Sequence, residues 1–198
     1  MKKIIIAAVA LLCLCGTAAA QRHIEYKWRG VYVVVDGSYV MNLNRAPNTA
    51  NGISVADTVS GYALGISGGF QFRKEAGVGV GITYLMDPTG AYTQMPVYAE
   101  LRSHFMRSRL TPFVALQLGY TLPLGASSQM TKIENGGIYF GAQLGGRFAI
   151  DRGFAIGLHV GYKLLNMSEV SRFDAKHKPL LSDVRTLHML DAGVTLHF

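Results

Sequence analysis

The chain has 198 residues, of which 49% are hydrophobic and 23 are glycines, and its formal net charge is +7. This length suits a single domain. Both cysteines, Cys13 and Cys15, lie within the first 20 residues, so the rest of the chain can form neither a disulfide nor a cysteine-based metal site.

The first 20 residues have the three parts of a secretory signal peptide. Lys2 and Lys3 precede an apolar run over residues 4–14, and small residues lead up to the bond between Ala20 and Gln21. We therefore predict cleavage at that bond and one domain over residues 21–198. Its basic charge could indicate nucleic acid binding, but export excludes that partner. An exported chain this apolar without a helical span favours a β-barrel, because only helices and closed barrels satisfy their backbone groups in lipid.

Residues 59–73 alternate between two kinds of side chain. The even positions are bulky and apolar, as at Leu64 and Phe70, whereas the odd positions are small or polar, as at Gly65 and Gln71. This period of two predicts a strand with one face toward lipid and the other toward a lumen. Further strands with the same pattern lie near residues 30–41, 77–86, 97–105, 114–122, 140–148, 156–163 and 190–198. We therefore expect an all-β fold, an antiparallel up-and-down transmembrane barrel of eight strands.

The connections between these strands alternate long and short. In chain order they lie at about residues 41–58, 73–76, 87–93, 107–111, 125–136, 151–153 and 166–184. Outer-membrane barrels have long extracellular loops and tight periplasmic turns. The pattern therefore predicts that both ends of the mature chain lie in the periplasm and that the last connection is the most exposed loop. Tyrosines near the long connections and phenylalanines near the short ones are expected to form two aromatic belts.

A soluble secreted barrel of the lipocalin type would show the same alternation with its apolar face turned inward. Here, however, the charged positions share one face with many glycines, as Gly157, His159, Gly161 and Lys163 show. Small residues suit the crowded interior of a narrow barrel, and a solvated exterior does not need them. The membrane barrel is therefore the preferred interpretation, and the soluble barrel stays the alternative.

The last strand ends in a pattern formed by Asp191, Gly193, Leu196 and Phe198. This pattern resembles the terminal assembly signal of bacterial outer-membrane barrels, whose exposed strand edge can be paired by another strand. The resemblance implies that the barrel assembly machinery is a partner during insertion.

A second stretch extends the resemblance. Residues 96–102 read PVYAELR, and Thr111, Pro112 and Phe113 follow after a short turn. This is similar to the central hairpin of the small outer-membrane β-barrel or porin-family proteins, of the OmpA and OmpX shape. The resemblance covers residues 28–198 and implies an integral protein of the outer membrane of a Gram-negative bacterium, with a structural or surface-interaction role. It implies no particular chemistry, because one fold can host many functions.

Six charged residues fall on the face predicted to line the lumen, namely Asp36, Glu100, Arg102, Arg147, Lys163 and Asp191. Three are negative and three are positive. Because charges in a narrow, low-dielectric interior are costly unless paired, we predict an ion-pair network that plugs the barrel. The alternative is an ion path or gate in a narrow solute channel.

A lipid-modifying enzyme is the other alternative, since such an enzyme could use a histidine with a serine and an acid. The candidate residues are His188 with Ser182 or Ser168 and with Glu169 or Asp183. No histidine stands two residues before a serine. We therefore predict no catalytic residue, no cofactor and no metal site.

The predicted outermost loop carries Arg172, Lys176 and Lys178. These side chains could bind lipopolysaccharide phosphates, although ordinary solvation is the simpler interpretation. Outer-membrane lipids and lipopolysaccharide are the expected surroundings of the barrel, and we expect a monomer.

Overall fold

The computed structural model describes residues 29–43, 60–73, 75–86, 93–106, 108–124, 131–173 and 179–198. Of residues 131–135, 167–173 and 179–185 it describes the backbone alone. The described residues form the strands β1 (Gly30–Asn42), β2 (Gly61–Arg73), β3 (Ala76–Met86), β4 (Thr93–His104), β5 (Leu110–Pro123), β6 (Thr131–Asn135), β7 (Ile138–Ala149), β8 (Ala155–Phe173) and β9 (Pro179–His197).

Eight of these strands close into one barrel. Antiparallel pairing runs from β1 through β2, β3, β4, β5, β7 and β8 to β9. β9 then pairs with β1, from Val34 opposite His197 to Asn42 opposite Met189. Closure pairs both edges of each barrel strand, which removes the open edge that a flat sheet would expose. The all-β, up-and-down barrel of eight strands predicted from the alternation is confirmed.

The connection predicted over residues 166–184 is wrong in its extent. β8 and β9 continue as a paired hairpin as far as Phe173 opposite Pro179. β6 lies within the connection predicted over residues 125–136 and pairs with this extension, from Thr131 opposite Arg172. Beyond the barrel wall a strand has no lipid on one side and no lumen on the other. Its backbone ladder can therefore persist where the alternation of polarity stops.

The two ends of the barrel differ in their connections. Three short connections, His104 to Leu110, Ala149 to Ala155 and the turn between β2 and β3, lie at the same end as the start of β1 and the end of β9. We call this the short-turn end. The opposite end, where β1 ends and β2 begins, is the long-connection end.

Glycines on the inner face make room for large side chains that cross the lumen. A Cβ atom added to Gly81 would lie 2.7 Å from the ring of Tyr98 and 2.8 Å from the Cβ of Ser67. A Cβ added to Gly145 would lie 2.7 Å from the ring of Phe113. The glycine-rich face seen in the sequence is therefore the face against which the luminal aromatic rings pack.

Candidate functional site: the barrel lumen

The outer face of the barrel is apolar. Val31, Val80 and Leu158 are 70%, 68% and 64% exposed. Each barrel strand in chain order contributes at least one such exposed residue, for example Val31, Leu64, Val80, Leu101, Leu118, Leu144, Leu158 and Val194. Soluble monomers rarely expose an apolar patch larger than a few hundred Å². A continuous apolar wall is instead the surface that a barrel presents to lipid.

Aromatic rings lie toward both ends of this wall. Tyr39 and Tyr62 pack edge to face near the long-connection end, with ring centroids 5.7 Å apart. Phe154 and Phe198 pack together at the short-turn end, with centroids 5.3 Å apart. These two ring pairs therefore lie at opposite ends, in the positions suited to the two membrane interfaces, whereas Phe140, near the long-connection end, is an exception to the pattern.

The inner face carries the charges. Glu100 and Lys163 are each 1% exposed, Arg102 and Arg147 are 3% exposed, and Asp191 is 4% exposed. Asp36 is more accessible, with 13% of its side chain exposed. A buried charge costs several kcal/mol unless its partners are well placed, so the contacts of each group decide what the lumen can do.

One cluster, here called the Asp191 cluster, joins Asp36, Ser38, His159, Lys163 and Asp191. Nζ of Lys163 lies 3.0 Å from Oδ2 of Asp191. The same ammonium donates to Oγ of Ser38 at 3.3 Å. Nε2 of His159 lies 3.0 Å from Oδ2 of Asp191 and 3.4 Å from Oδ2 of Asp36. The imidazole thus lies between two carboxylates, and one of them, Asp191, also pairs with the ammonium.

His159 was missing from the charges predicted to form the network. It has the correct parity, because it lies between Gly157 and Gly161 on the glycine-rich face. The predicted network counts only aspartate, glutamate, lysine and arginine, so a single histidine does not enter it. Only its approach to two carboxylates reveals its part in the cluster.

A second cluster, here called the Glu100 cluster, joins Tyr32, Glu100, Arg102, Gln117 and Tyr139. Nε and Nη2 of Arg102 donate to the two carboxylate oxygens of Glu100 at 2.9 and 3.1 Å. Glu100 also accepts from Nε2 of Gln117 at 3.1 Å and from the hydroxyl of Tyr32 at 3.3 Å. The hydroxyl of Tyr139 donates to Oε1 of Gln117 at 2.8 Å. The two-point contact between the guanidinium of Arg102 and the carboxylate of Glu100 is among the stronger ion pairs in proteins.

The sixth predicted charge lies near the short-turn end. Nη1 of Arg147 lies 3.2 Å from Nε2 of His104. A guanidinium has no acceptor, so Nε2 of His104 accepts this hydrogen bond and the ring hydrogen is on Nδ1. His197 lies beside these groups, with its ring centroid 6.4 Å from that of His104. The six predicted charges therefore occupy three places along the lumen. Their action as a plug stays a prediction.

At the long-connection end, apolar side chains fill the lumen. The buried members of this apolar cluster are Val40, Ala63, Tyr98, Tyr139, Leu165 and Met189, with Leu85 and Leu187 packed against them. The rings of Tyr98 and Tyr139, which belong to this cluster, lie 5.5 Å apart, and Tyr139 also belongs to the Glu100 cluster. The lumen thus changes from apolar at one end, through ion pairs, to basic at the other.

The candidate catalytic histidine hydrogen-bonds a tyrosine: the hydroxyl of Tyr162 bonds Nδ1 of His188. The side chains of the other catalytic and lipopolysaccharide-binding candidates lie outside the described residues, namely Ser168, Glu169, Arg172, Lys176, Lys178, Ser182 and Asp183. The described part of the chain contains no group of His, Cys, Asp or Glu that could hold a metal ion. It also contains no helix long and apolar enough to cross a membrane.

Comparison with known proteins identifies the fold. No family model and no curated protein sequence matches the chain. The structure is similar to that of Neisserial surface protein A, with 16% identity, coverage of 85% of this chain and 96% of that chain, and a TM-score of 0.56. It is also similar to the outer membrane protein OprG from Pseudomonas aeruginosa, with 15% identity, coverage of 88% and 99%, and a TM-score of 0.55. The N-terminal β-barrel domain of OprF from the same species has 11% identity, coverage of 86% and 99%, and a TM-score of 0.50. At these identities the likeness is one of fold.

Proposed function

We propose that the chain is an integral outer-membrane protein, a non-enzymatic monomer with a structural or surface-interaction role in the cell envelope. The observation that carries this proposal is the reversed polarity of the barrel, with exposed leucines and valines outside and buried ion pairs inside. A soluble barrel would gain by the opposite arrangement, because burial of apolar side chains is its main source of stability. The fold shared with a Neisserial surface protein and with an outer membrane protein of Pseudomonas aeruginosa supports the same location.

The proposed orientation places the short-turn end in the periplasm and the long-connection end outside the cell. Residues 1–20 direct export, and cleavage leaves Gln21 as the first residue. The extension of β8 and β9 lies beyond the barrel wall and is then the part of the described chain best placed to meet lipopolysaccharide or another surface partner.

The terminal residues Asp191, Gly193, Leu196 and Phe198 act in assembly in this proposal. Asp191, Gly193 and Leu196 lie on β9, the strand that closes the barrel against β1, and Phe198 directly follows its last residue. Before closure, β9 has an exposed edge that the barrel assembly machinery can pair with. Asp191 also has a second task, since its carboxylate holds Lys163 and His159 inside the finished barrel.

The filled lumen supports the structural role over transport. Tyr98 and Tyr139 are 5% and 0% exposed and belong to the apolar cluster, and Tyr139 also hydrogen-bonds Gln117 of the Glu100 cluster. An eight-stranded barrel is just wide enough for side chains to fill it.

Cell fractionation tests the location. The full chain should be expressed in a Gram-negative host and recovered with outer membranes, and it should migrate faster in gels without heating, because a closed barrel resists detergent unfolding. The intact mass should begin at Gln21. Recovery as a soluble periplasmic protein would decide for the lipocalin-type alternative. Altered lipid A or phospholipids on deletion of the gene would decide for the enzyme.

A further inference from the structure

A cavity of about 140 Å³ opens among the luminal side chains at the short-turn end. The basic residues that line it are Arg29, Arg102, His104, Arg147, Arg152 and His197. Arg29 and Arg152 are exposed and form its rim, whereas the other four are buried and form its inner wall. We propose that this cavity, here called the arginine cavity, binds a small oxyanion of the phosphate class.

The charged side chains of the lining are all basic. Four guanidinium groups surround the cavity, and no aspartate or glutamate side chain is among its described lining residues. Phe198 also lines it, and its terminal carboxylate, one oxygen of which accepts a hydrogen bond from the amide of Val33 at 3.1 Å, offsets only one of the four guanidinium charges. Like charges in a poorly solvated space repel each other, so an added anion should lower the electrostatic repulsion among the enclosed arginines.

Arg102 provides the second and independent observation. Two of its nitrogens, Nε and Nη2, are engaged by Glu100. The third, Nη1, is buried and has no hydrogen-bond partner among the described residues. An unsatisfied buried donor on a charged group is costly, and an oxyanion in the adjoining cavity would satisfy it. Glu100 fixes the guanidinium, so its remaining edge is pre-organised for such a ligand.

The size of the cavity selects the class of ligand. Its volume of about 140 Å³ resembles the roughly 150 Å³ of an engineered cavity that holds benzene, so a tetrahedral oxyanion with one or two waters can enter. Guanidinium groups match the oxygens of phosphate, because each can present two parallel N–H donors. A free phosphate ion and the phosphate of a phospholipid headgroup share this chemistry, and the position inside the barrel mouth favours the free ion.

Calorimetric titration of the purified barrel tests the proposal without depending on its orientation in the membrane. The barrel is held in an uncharged, phosphate-free detergent and titrated with inorganic phosphate or chloride at equal ionic strength. We expect saturable binding of phosphate and a higher melting temperature, since a ligand that binds only the folded state stabilises it. Micelles containing phosphatidylglycerol form a second arm. Saturation by these micelles with no effect of inorganic phosphate would overturn the free-ion proposal.

Variants locate the binding. Arg102→Gln should weaken phosphate binding about tenfold or more, because it removes a buried charged donor. If that variant does not fold, Arg29→Gln with Arg152→Gln leaves the interior intact and should weaken binding up to about fivefold. The control is Arg73→Gln, an exposed arginine at the same end that does not line the cavity. Phosphate that stabilises no more than chloride, or equal losses in the rim and control variants, would refute the site.

Discussion

Lys163 of β8 and Asp191 of β9 form a diagonal ion pair, since the register places Lys163 opposite Met189 and Asp191 opposite Gly161. Diagonal neighbours on one face of an antiparallel pair are within reach of long side chains. The ammonium therefore reaches past its direct partner to a carboxylate that His159 also contacts. The ion pair can therefore stabilise the barrel only when β8 and β9 pair in this register.

Lys163→Met should destabilise the barrel by about 3–5 kcal/mol, because it leaves the buried carboxylate of Asp191 without its ammonium partner. The measurement is equilibrium unfolding in urea from lipid vesicles. The matched control is the double variant Lys163→Met with Asp191→Leu, which removes both partners and should cost less than the sum of the single changes. A single variant within about 0.5 kcal/mol of the unmodified protein would show that water solvates this part of the lumen.

Gly81→Ala should destabilise the barrel by about 1–3 kcal/mol, because the added methyl group overlaps the buried ring of Tyr98. Gly153→Ala is the control, since a Cβ there meets nothing within 4 Å. The difference between the two midpoints in the same unfolding assay isolates luminal packing from the general effect of replacing glycine. Equal midpoints would mean that Tyr98 can move aside at no cost.

The sequence could establish the face on which each residue lies but not its partners. Period-two alternation placed Glu100, Arg102 and Lys163 inside the barrel, and the structure finds them there. The position of a luminal side chain along the barrel axis depends on strand tilt and stagger, and no local sequence pattern encodes these two quantities. The division into two ionic clusters and the position of Arg147 beside His104 therefore required the register.

The apolar cluster at the long-connection end shows another limit. Val40, Leu165 and Met189 lie inside the barrel, whereas the alternation predicts small or polar residues on the luminal face, and Leu165 and Met189 lie just beyond the predicted strands. Near a strand end, apolar residues on both faces weaken the alternation. A leucine or valine that faces lipid cannot then be distinguished by its type from one that faces the lumen. The alternation also stops beyond the barrel wall, and the sequence therefore did not show the continuation of β8 and β9 to Phe173 and Pro179.

A cysteine at Ser171 should be labelled from outside intact cells by a membrane-impermeant maleimide. Ser171 lies in the extension of β8, beyond the barrel wall at the long-connection end. A cysteine at Ala76, which begins β3 at the short-turn end, should be labelled only after the outer membrane is opened. Residues 21–198 contain no cysteine, so the maleimide should react only with the cysteine that is introduced. Labelling at Ala76 but not at Ser171 would invert the topology.

Deletion of Phe198 should lower the amount of barrel in the outer membrane while synthesis stays unchanged. The amide of Phe198 donates to the carbonyl of Val33 at 2.8 Å, and its ring packs on Phe154. The deletion therefore removes both backbone hydrogen bonds between Phe198 and Val33 in the closing seam, an interfacial ring and the last residue of the assembly signal. Leu43→Ala is a control at the other end of the seam, and it should assemble normally. Normal membrane levels of the truncated chain would remove the terminal signal from the proposal.

The packed lumen predicts that the purified barrel gives little or no conductance in planar bilayers. Open aqueous pores are found in barrels of about 16–18 strands, whereas eight strands leave an interior that side chains fill. Here Tyr98 and Tyr139 cross that interior with ring centroids 5.5 Å apart. Replacing both tyrosines by alanine should open a water-filled path and raise the conductance several-fold. The control is the double alanine variant of Tyr39 and Tyr62, a ring pair with centroids 5.7 Å apart on the outer wall, which should leave conductance unchanged. Large conductance steps in the unmodified protein, or equal effects of the inner and outer pairs, would show that the lumen is already wet and that the chain acts as a narrow channel.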